Sequence, residues 1–147
     1  MNIIKRIGVR NFIRAIDKNI NVQFQKYDME CDIYEETVYI GKTYNPITDV
    51  LFMEYVKELD PECNTPVFLL SILHEIGHIM TFDADLEDEK DILYATLKMG
   101  LAENKEQEEE YVKMYFRIPF ETEATLWGID YAKRHPELIK KYLWLCK

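Results

Sequence analysis

The chain has 147 residues, 48% of them hydrophobic, which suffices for one compact core and is too little for two. Its formal net charge of −9 argues against a nucleic-acid-binding surface, because such surfaces need clustered Lys and Arg and the charge runs here are acidic. We therefore predict one domain, residues 1–147, with no nucleic-acid partner.

The cysteine content and the lengths of the apolar runs indicate the cellular compartment in which the protein is expected. Cys31, Cys63 and Cys146 are odd in number and widely spaced, so neither a disulfide framework nor a cysteine zinc cluster is predicted. No secretion signal is visible, and the longest apolar run, residues 67–73, is far shorter than the roughly 20 residues that span a bilayer. We expect a cytoplasmic protein with reduced thiols and no membrane partner.

Two kinds of periodicity divide the N-terminal part of the chain. Apolar residues at helical spacing predict a helix over residues 3–16. Strict alternation then predicts a strand over residues 20–25. A second strand is predicted from Ile33 to Ile40, ending before Gly41, with residues 28–32 as the connection.

Helical signals dominate the rest of the chain. Asn45-Pro46 and Thr65-Pro66 are typical helix starts, and the Thr65 hydroxyl is predicted to cap the second of these helices. An acidic turn is expected at residues 83–91. Further helices are predicted from the apolar spacing at Leu93 to Leu101 and Tyr111 to Phe116, from Pro119, and from Pro136 to Cys146. This order indicates an α+β fold with a small antiparallel sheet and a mainly helical C-terminal half.

The most informative segment reads His74-Glu75-Ile76-Gly77-His78, an H-E-x-x-H motif inside an apolar, centrally buried helix. Four residues are just over one turn, so both imidazoles project from one face and can bind one zinc ion. Glu75 is then placed to accept a proton from a water on the metal. Gly77 costs about 1 kcal/mol relative to Ala inside a helix, which predicts a close backbone approach there. The alternative is that both histidines are hydrogen-bonded core residues.

A third protein ligand is required, because catalytic zinc normally has three and the motif supplies two. The chain has one further histidine, His135, and the residues after His78 exclude the H-E-x-x-H-x-x-G-x-x-H pattern. A carboxylate from elsewhere in the chain is therefore expected.

Residues 121–128, Glu121-Thr122-Glu123-Ala124-Thr125-Leu126-Trp127-Gly128, resemble the E-x-x-A helix that carries the third ligand in gluzincin-type metallopeptidases. The resemblance implies a zincin-like fold with Glu121 as the third ligand, and Glu123 is the fallback. The element order is similar to that of ImmA/IrrE-like and phage-type minimal gluzincins. Those families usually follow the alanine with Asn or Asp and an F-A pair, where this chain has Thr125 and Trp127-Gly128.

These motifs predict a zinc metalloendopeptidase that hydrolyses peptide bonds in an intracellular protein or peptide substrate. Zn²⁺ would be held by His74, His78 and Glu121, with Glu75 as general base. The strand at residues 33–40 is the predicted edge for strand addition by the substrate. The sequence does not choose among four candidates for stabilising the oxyanion, namely Tyr115, Arg117, Tyr131 and His135.

The alternative function is a non-catalytic, zinc-stabilised regulatory binding protein of phage or mobile-element origin. A purely structural zinc has no use for a glutamate base and prefers a fourth protein ligand, and the sequence offers no evident fourth ligand. The motif therefore favours the enzyme. Neither the substrate sequence nor the oligomeric state is indicated.

Overall fold

The structure is a computed structural model and describes residues 1–26, 28–41, 46–82 and 89–147. Within those ranges the chain forms seven α-helices, one three-stranded sheet and a final 3-10 turn, Leu143–Cys146. The strands are β1 (Asn21–Phe24), β2 (Glu30–Asp32) and β3 (Thr37–Ile40). The helices are α1 (Ile3–Ile16), α2 (Pro46–Leu59), α3 (Val67–Thr81), α4 (Glu89–Gly100), α5 (Lys105–Phe116), α6 (Pro119–Arg134) and α7 (Pro136–Tyr142).

The predicted α+β class is confirmed, with a helical C-terminal half. Helix α1 has its predicted bounds, and α2, α6 and α7 begin at the prolines that predicted them. Asn45 and most of the acidic turn expected at residues 83–91 lie outside the described residues. None of the described helices is long and apolar enough to cross a membrane.

The sheet differs from the predicted antiparallel arrangement because it is mixed. Its strand order is β1-β3-β2, in which β3 pairs parallel with β1 and antiparallel with β2. The single strand predicted at residues 33–40 is also wrong at its start. The Asp32 carboxylate accepts hydrogen bonds from the backbone N–H groups of Tyr34 and Glu35, at 3.0 and 2.9 Å, which forms a turn at residues 33–36. Residues 30–32, predicted as a connection, therefore form β2.

Helix α3 lies between two hydrophobic clusters, which is why it is apolar around its whole circumference. Leu69, Ile72 and Ile76 face the cluster formed by α1 and the sheet, and Leu70 faces the cluster formed by α2 and α5. The predicted cap by Thr65 is wrong. Pro66 occupies the N-cap position without a side-chain hydrogen bond, so Thr65 lies one residue too early.

The crossing of α3 and α6 is unusually close at Gly77. A Cβ on this residue would lie 2.9 Å from the Cα of Ala124 and closer still to its carbonyl oxygen. The predicted close backbone approach at Gly77 is thus confirmed. Gly128, one turn after Ala124, packs in the same way against the α3 backbone at Leu73 and His74. This close packing places the first turn of α6, which carries Glu121, next to the part of α3 that carries the histidines.

Candidate metal centre

His74, His78 and Glu121 converge on one point in the interior. The Nε2 atoms of the two histidines are 3.1 Å apart. The Oε2 atom of Glu121 lies 3.1 Å from Nε2 of His74 and 3.4 Å from Nε2 of His78. All three residues are at least 93% buried. They form a group that could hold a metal ion.

The spacing of the three atoms fits a single ion. Ligands bound about 2.0–2.1 Å from a tetrahedral ion lie roughly 3.3–3.4 Å from one another, a few tenths of an ångström from the observed separations. Two imidazole nitrogens and a carboxylate oxygen at these distances repel one another unless a proton or a metal cation lies between them. The donor set is therefore suited to a metal cation.

Thr125 determines which nitrogen of His74 faces this point. Its hydroxyl donates to the backbone carbonyl of Glu121 at 2.8 Å, so it accepts from Nδ1–H of His74 at 3.0 Å. In the neutral imidazole, the lone pair of His74 is consequently on Nε2, which is the atom directed at Glu121. Sequence reasoning noted Thr125 only as a departure from a family pattern. Its position four residues after Glu121, on the same helix face, is the signal that could have identified it.

Glu121 is a stable carboxylate despite its burial. Burial raises the pKa of its carboxyl, but hydrogen bonds and charge interactions with His74 and His78 outweigh burial and hold the pKa well below its usual range. Glu123, the fallback ligand, is exposed and does not belong to the group. The Glu121 side chain is therefore the one that the fold brings to both histidines.

Glu75 lines the cavity beside this group without belonging to it. Burial raises its pKa to about 7, His78 opposes that rise, and Glu121 adds to it. The Cys31 thiol of β2 lines the cavity beside Glu75, and its interaction with the carboxylate lowers the pKa of Glu75. Burial and the charge of Glu75 raise the pKa of Cys31, so the thiol stays protonated. Sequence reasoning gave Cys31 no role in the site.

The cavity has a volume of about 430 Å³, and aromatic rings form much of its wall. Phe52 meets the His74 ring edge-on with centroids 5.4 Å apart, and Phe120 stacks on His78 at 4.3 Å. These apolar rings limit the access of water to the buried histidines and strengthen electrostatic interactions at the metal-ligand group.

Tyr115 is the one of the four oxyanion candidates that lines the described part of the cavity. Burial and the nearby Glu121 carboxylate raise the pKa of Tyr115, so its hydroxyl is a neutral donor. Arg117 is instead paired with Glu58 at 2.6 Å on the surface. Tyr131 stacks on Trp127 and on His135, with ring centroids 5.0 and 4.2 Å away.

The strand bordering the cavity is not the one predicted. Strand β3, within the predicted 33–40 segment, is the centre of the sheet, flanked on both sides, so its backbone groups are already paired. The edge strand on the cavity side is β2, whose Glu30 and Cys31 line the cavity. The edge strand was predicted at the wrong residues because the turn at residues 33–36 reverses the chain and separates β2 from β3.

Comparison with known proteins adds nothing to this geometry, since no family model, curated protein or solved structure matches the chain. The geometry itself shows a buried His-His-Glu group able to hold a metal ion. A separate carboxylate, Glu75, and a phenol, Tyr115, line the same cavity.

Proposed function

We propose that the protein is a zinc-dependent peptidase of the gluzincin type. The observation that carries the proposal is one cavity that joins three buried metal-ligand side chains to a carboxylate, Glu75, outside the ligand group. Three protein ligands leave a position open for water and substrate, whereas structural zinc sites are closed by four. Among the described residues the ligand group has three members, which favours catalysis over the regulatory alternative.

The ligand chemistry supports zinc as the ion. Two imidazoles and one carboxylate form a borderline set that suits zinc, whereas calcium and magnesium prefer oxygen ligands throughout. Thr125 holds the His74 ring through Nδ1, as outer-shell partners of zinc-binding histidines commonly do.

A bound zinc would supply a Lewis acid that polarises the scissile carbonyl and acidifies a water molecule. Glu75 would take the proton of that water and then deliver it to the leaving amine. Burial in the cavity raises the pKa of the Glu75 carboxyl, which makes it a better proton acceptor than an exposed glutamate. Cys31 of β2 lines the cavity beside Glu75.

Tyr115 is the residue that we assign to the oxyanion. Its protonated hydroxyl lies on the cavity wall, where it could donate to negative charge developing on the substrate oxygen. Tyr115→Phe should lower kcat by about 10²-fold with zinc content unchanged. An unchanged kcat would remove Tyr115 from this role.

The edge strand β2 supplies a surface for an extended peptide. Its outer backbone groups have no strand beside them in the described sheet, so a substrate segment could add there by main-chain hydrogen bonds. A peptide bound along β2 would pass Glu30 and Cys31, which line the cavity. We therefore propose an extended segment of a protein or peptide as the substrate.

The proposal is tested by measuring zinc content and peptide cleavage for wild type and Glu75→Gln. Both proteins should carry about one zinc per chain, because Glu75 is not a ligand. Cleavage of a broad peptide library should be seen with wild type and fall by at least about 10²-fold in Glu75→Gln. Absence of zinc from both proteins, or equal cleavage by both, would sink the proposal.

A further inference from the structure

A carboxylate that has no partner among the described residues lies in the wall of the same cavity. Asp49, in the first turn of α2, is half-buried and lines the cavity together with Phe52 and Ser71. Within the described residues it makes no hydrogen bond or ion pair, and burial is the one influence on its pKa. Lys57, the lysine of α2, donates instead to the carbonyls of Pro61 and Cys63 at 3.0 and 2.6 Å.

The environment of Asp49 is unfavourable for its charge. Burial raises the pKa of Asp49 to about 6, so at neutral pH the group is a partly desolvated anion. Folded proteins normally pair such charges, because desolvation without a partner costs stability. An unpaired, partly buried charge in a cleft is the usual condition of a binding residue whose partner arrives with the ligand.

The rest of the cavity has the same sign of charge. Its described lining includes no Lys or Arg, and its acidic members are Asp28, Glu30, Asp49, Glu75 and Glu121. A bound dication would be balanced largely by Glu121 and Glu75 beside it. The carboxylates farther from the ligand group would keep the potential negative at their positions, which favours a cationic ligand there.

An aromatic residue joins Asp49 to the metal centre. Phe52 is three residues after Asp49 on the same face of α2, about 4.5 Å along the helix axis, and its ring contacts His74. A long cationic side chain could lay its aliphatic stem on this ring and reach the Asp49 carboxylate with its charged end. An uncharged side chain would satisfy the ring and leave the carboxylate unpaired.

We propose that Asp49 and Phe52 form a side-chain subsite that recognises a lysine or arginine of the substrate peptide. This inference rests on the proposed peptidase function and adds the substrate class to it. Asp49 is about one helical turn from Phe52, and the Phe52 ring contacts His74. The recognised residue is therefore near the bond to be cleaved.

Binding is measured with zinc-loaded, full-length Glu75→Gln, in which the peptides stay intact. Fluorescent peptides of one sequence carry either lysine or the uncharged norleucine at each position in turn, and affinity is read by fluorescence anisotropy. Lysine should bind about tenfold more tightly than norleucine at one position, as a charge-assisted contact would give. Adding Asp49→Asn should abolish the preference. Adding Glu54→Gln, an equal charge change at an exposed site of α2 outside the cavity, should preserve it.

Equal binding of lysine and norleucine peptides at every position, or no binding of any peptide, would overturn the subsite. A preference that survives Asp49→Asn would overturn the assignment to Asp49. Zinc titration of the same proteins tests whether Asp49 binds a metal ion instead. A second bound equivalent of zinc that Asp49→Asn removes would also overturn the subsite. Cleavage by wild type without a lysine preference would contradict the subsite alone. A lysine preference without cleavage would contradict the peptidase alone.

Discussion

Gly77 packs directly on the backbone of Ala124, so that no side chain separates α3 from α6 at their crossing. Glu121 is three residues before Ala124, and His78 directly follows Gly77. The crossing thus sets the distance between the carboxylate and the imidazoles, which is 3.4 Å for His78. Close packing of two helices, rather than a loop, positions the ligand group.

Replacing Gly77 with Ala should therefore damage both stability and metal binding. The added methyl group would meet the backbone of Ala124, which cannot rotate away, so α6 must shift at a cost of about 1–3 kcal/mol. This outweighs the gain of about 1 kcal/mol in helix propensity. Denaturant unfolding and zinc affinity measure the two effects.

Gly100→Ala is the matched control, because a Cβ there has no described atom within 4 Å. It should leave both quantities unchanged or slightly raise stability. If Gly77→Ala behaved like Gly100→Ala, the close crossing would not be what holds the ligand group.

Thr125 should affect metal affinity without being a ligand. Thr125→Val removes the acceptor of the His74 Nδ1–H and should lower zinc affinity by about 10–100-fold, while Thr125→Ser retains the hydroxyl and the affinity. Competition with a chromophoric chelator measures the difference. Thr122→Val is the control on the same helix, since Thr122 pairs with Tyr55 at 2.6 Å and should affect stability alone. Equal zinc affinity in Thr125→Val and wild type would show that this hydrogen bond does not orient the ring.

The two glutamates of the α6 motif should differ sharply. Glu121→Ala removes a buried member of the ligand group and should reduce zinc binding to a level that does not survive purification. Glu123→Ala removes an exposed carboxylate and should retain about one zinc per chain. Elemental analysis of the two variants decides the matter, and the reverse order would mean that the metal lies on another face of α6.

Asp49 should make stability depend on pH in a defined direction. Its native pKa is raised from 3.8 to about 6, so the native state is favoured when Asp49 is protonated. That contribution is present below about pH 4 and is lost as pH rises through about 6. Asp49→Asn should therefore be as stable as wild type near pH 4 and more stable at pH 7.

Urea unfolding of the metal-free proteins at both pH values measures this difference without interference from ligand protonation. Glu54→Gln removes an exposed carboxylate that pairs with Lys113 and should show no gain at pH 7. A stability difference between Asp49→Asn and wild type that is constant from pH 4 to 7 would rule out a desolvated Asp49.

Local signals carried the parts of the structure that were predicted correctly. Prolines at helix starts and apolar spacing depend on a few neighbouring residues, so the bounds of α1 and the starts at Pro119 and Pro136 could be found from sequence. The helical spacing of His74 and His78 and the glycine between them are likewise local. They predicted the shared face and the close approach at Gly77.

What the sequence did not reveal depends on contacts between distant segments. The antiparallel pairing of β3 with β2 follows from the turn after Asp32, and the alternation pattern does not encode which strands pair. Choosing Tyr115 over Arg117 required the position of α5 beside the cavity. Cys31 and Asp49 come near the histidines only through folding, and neither belongs to a motif.

The most direct test of the metal centre is a crystal structure of the purified protein with anomalous diffraction measured at the zinc absorption edge. We predict one anomalous peak about 2.0–2.2 Å from Nε2 of His74, Nε2 of His78 and a carboxylate oxygen of Glu121. No peak after zinc has been supplied, or a peak bound by other residues, would contradict the assignment of these three side chains as a zinc site.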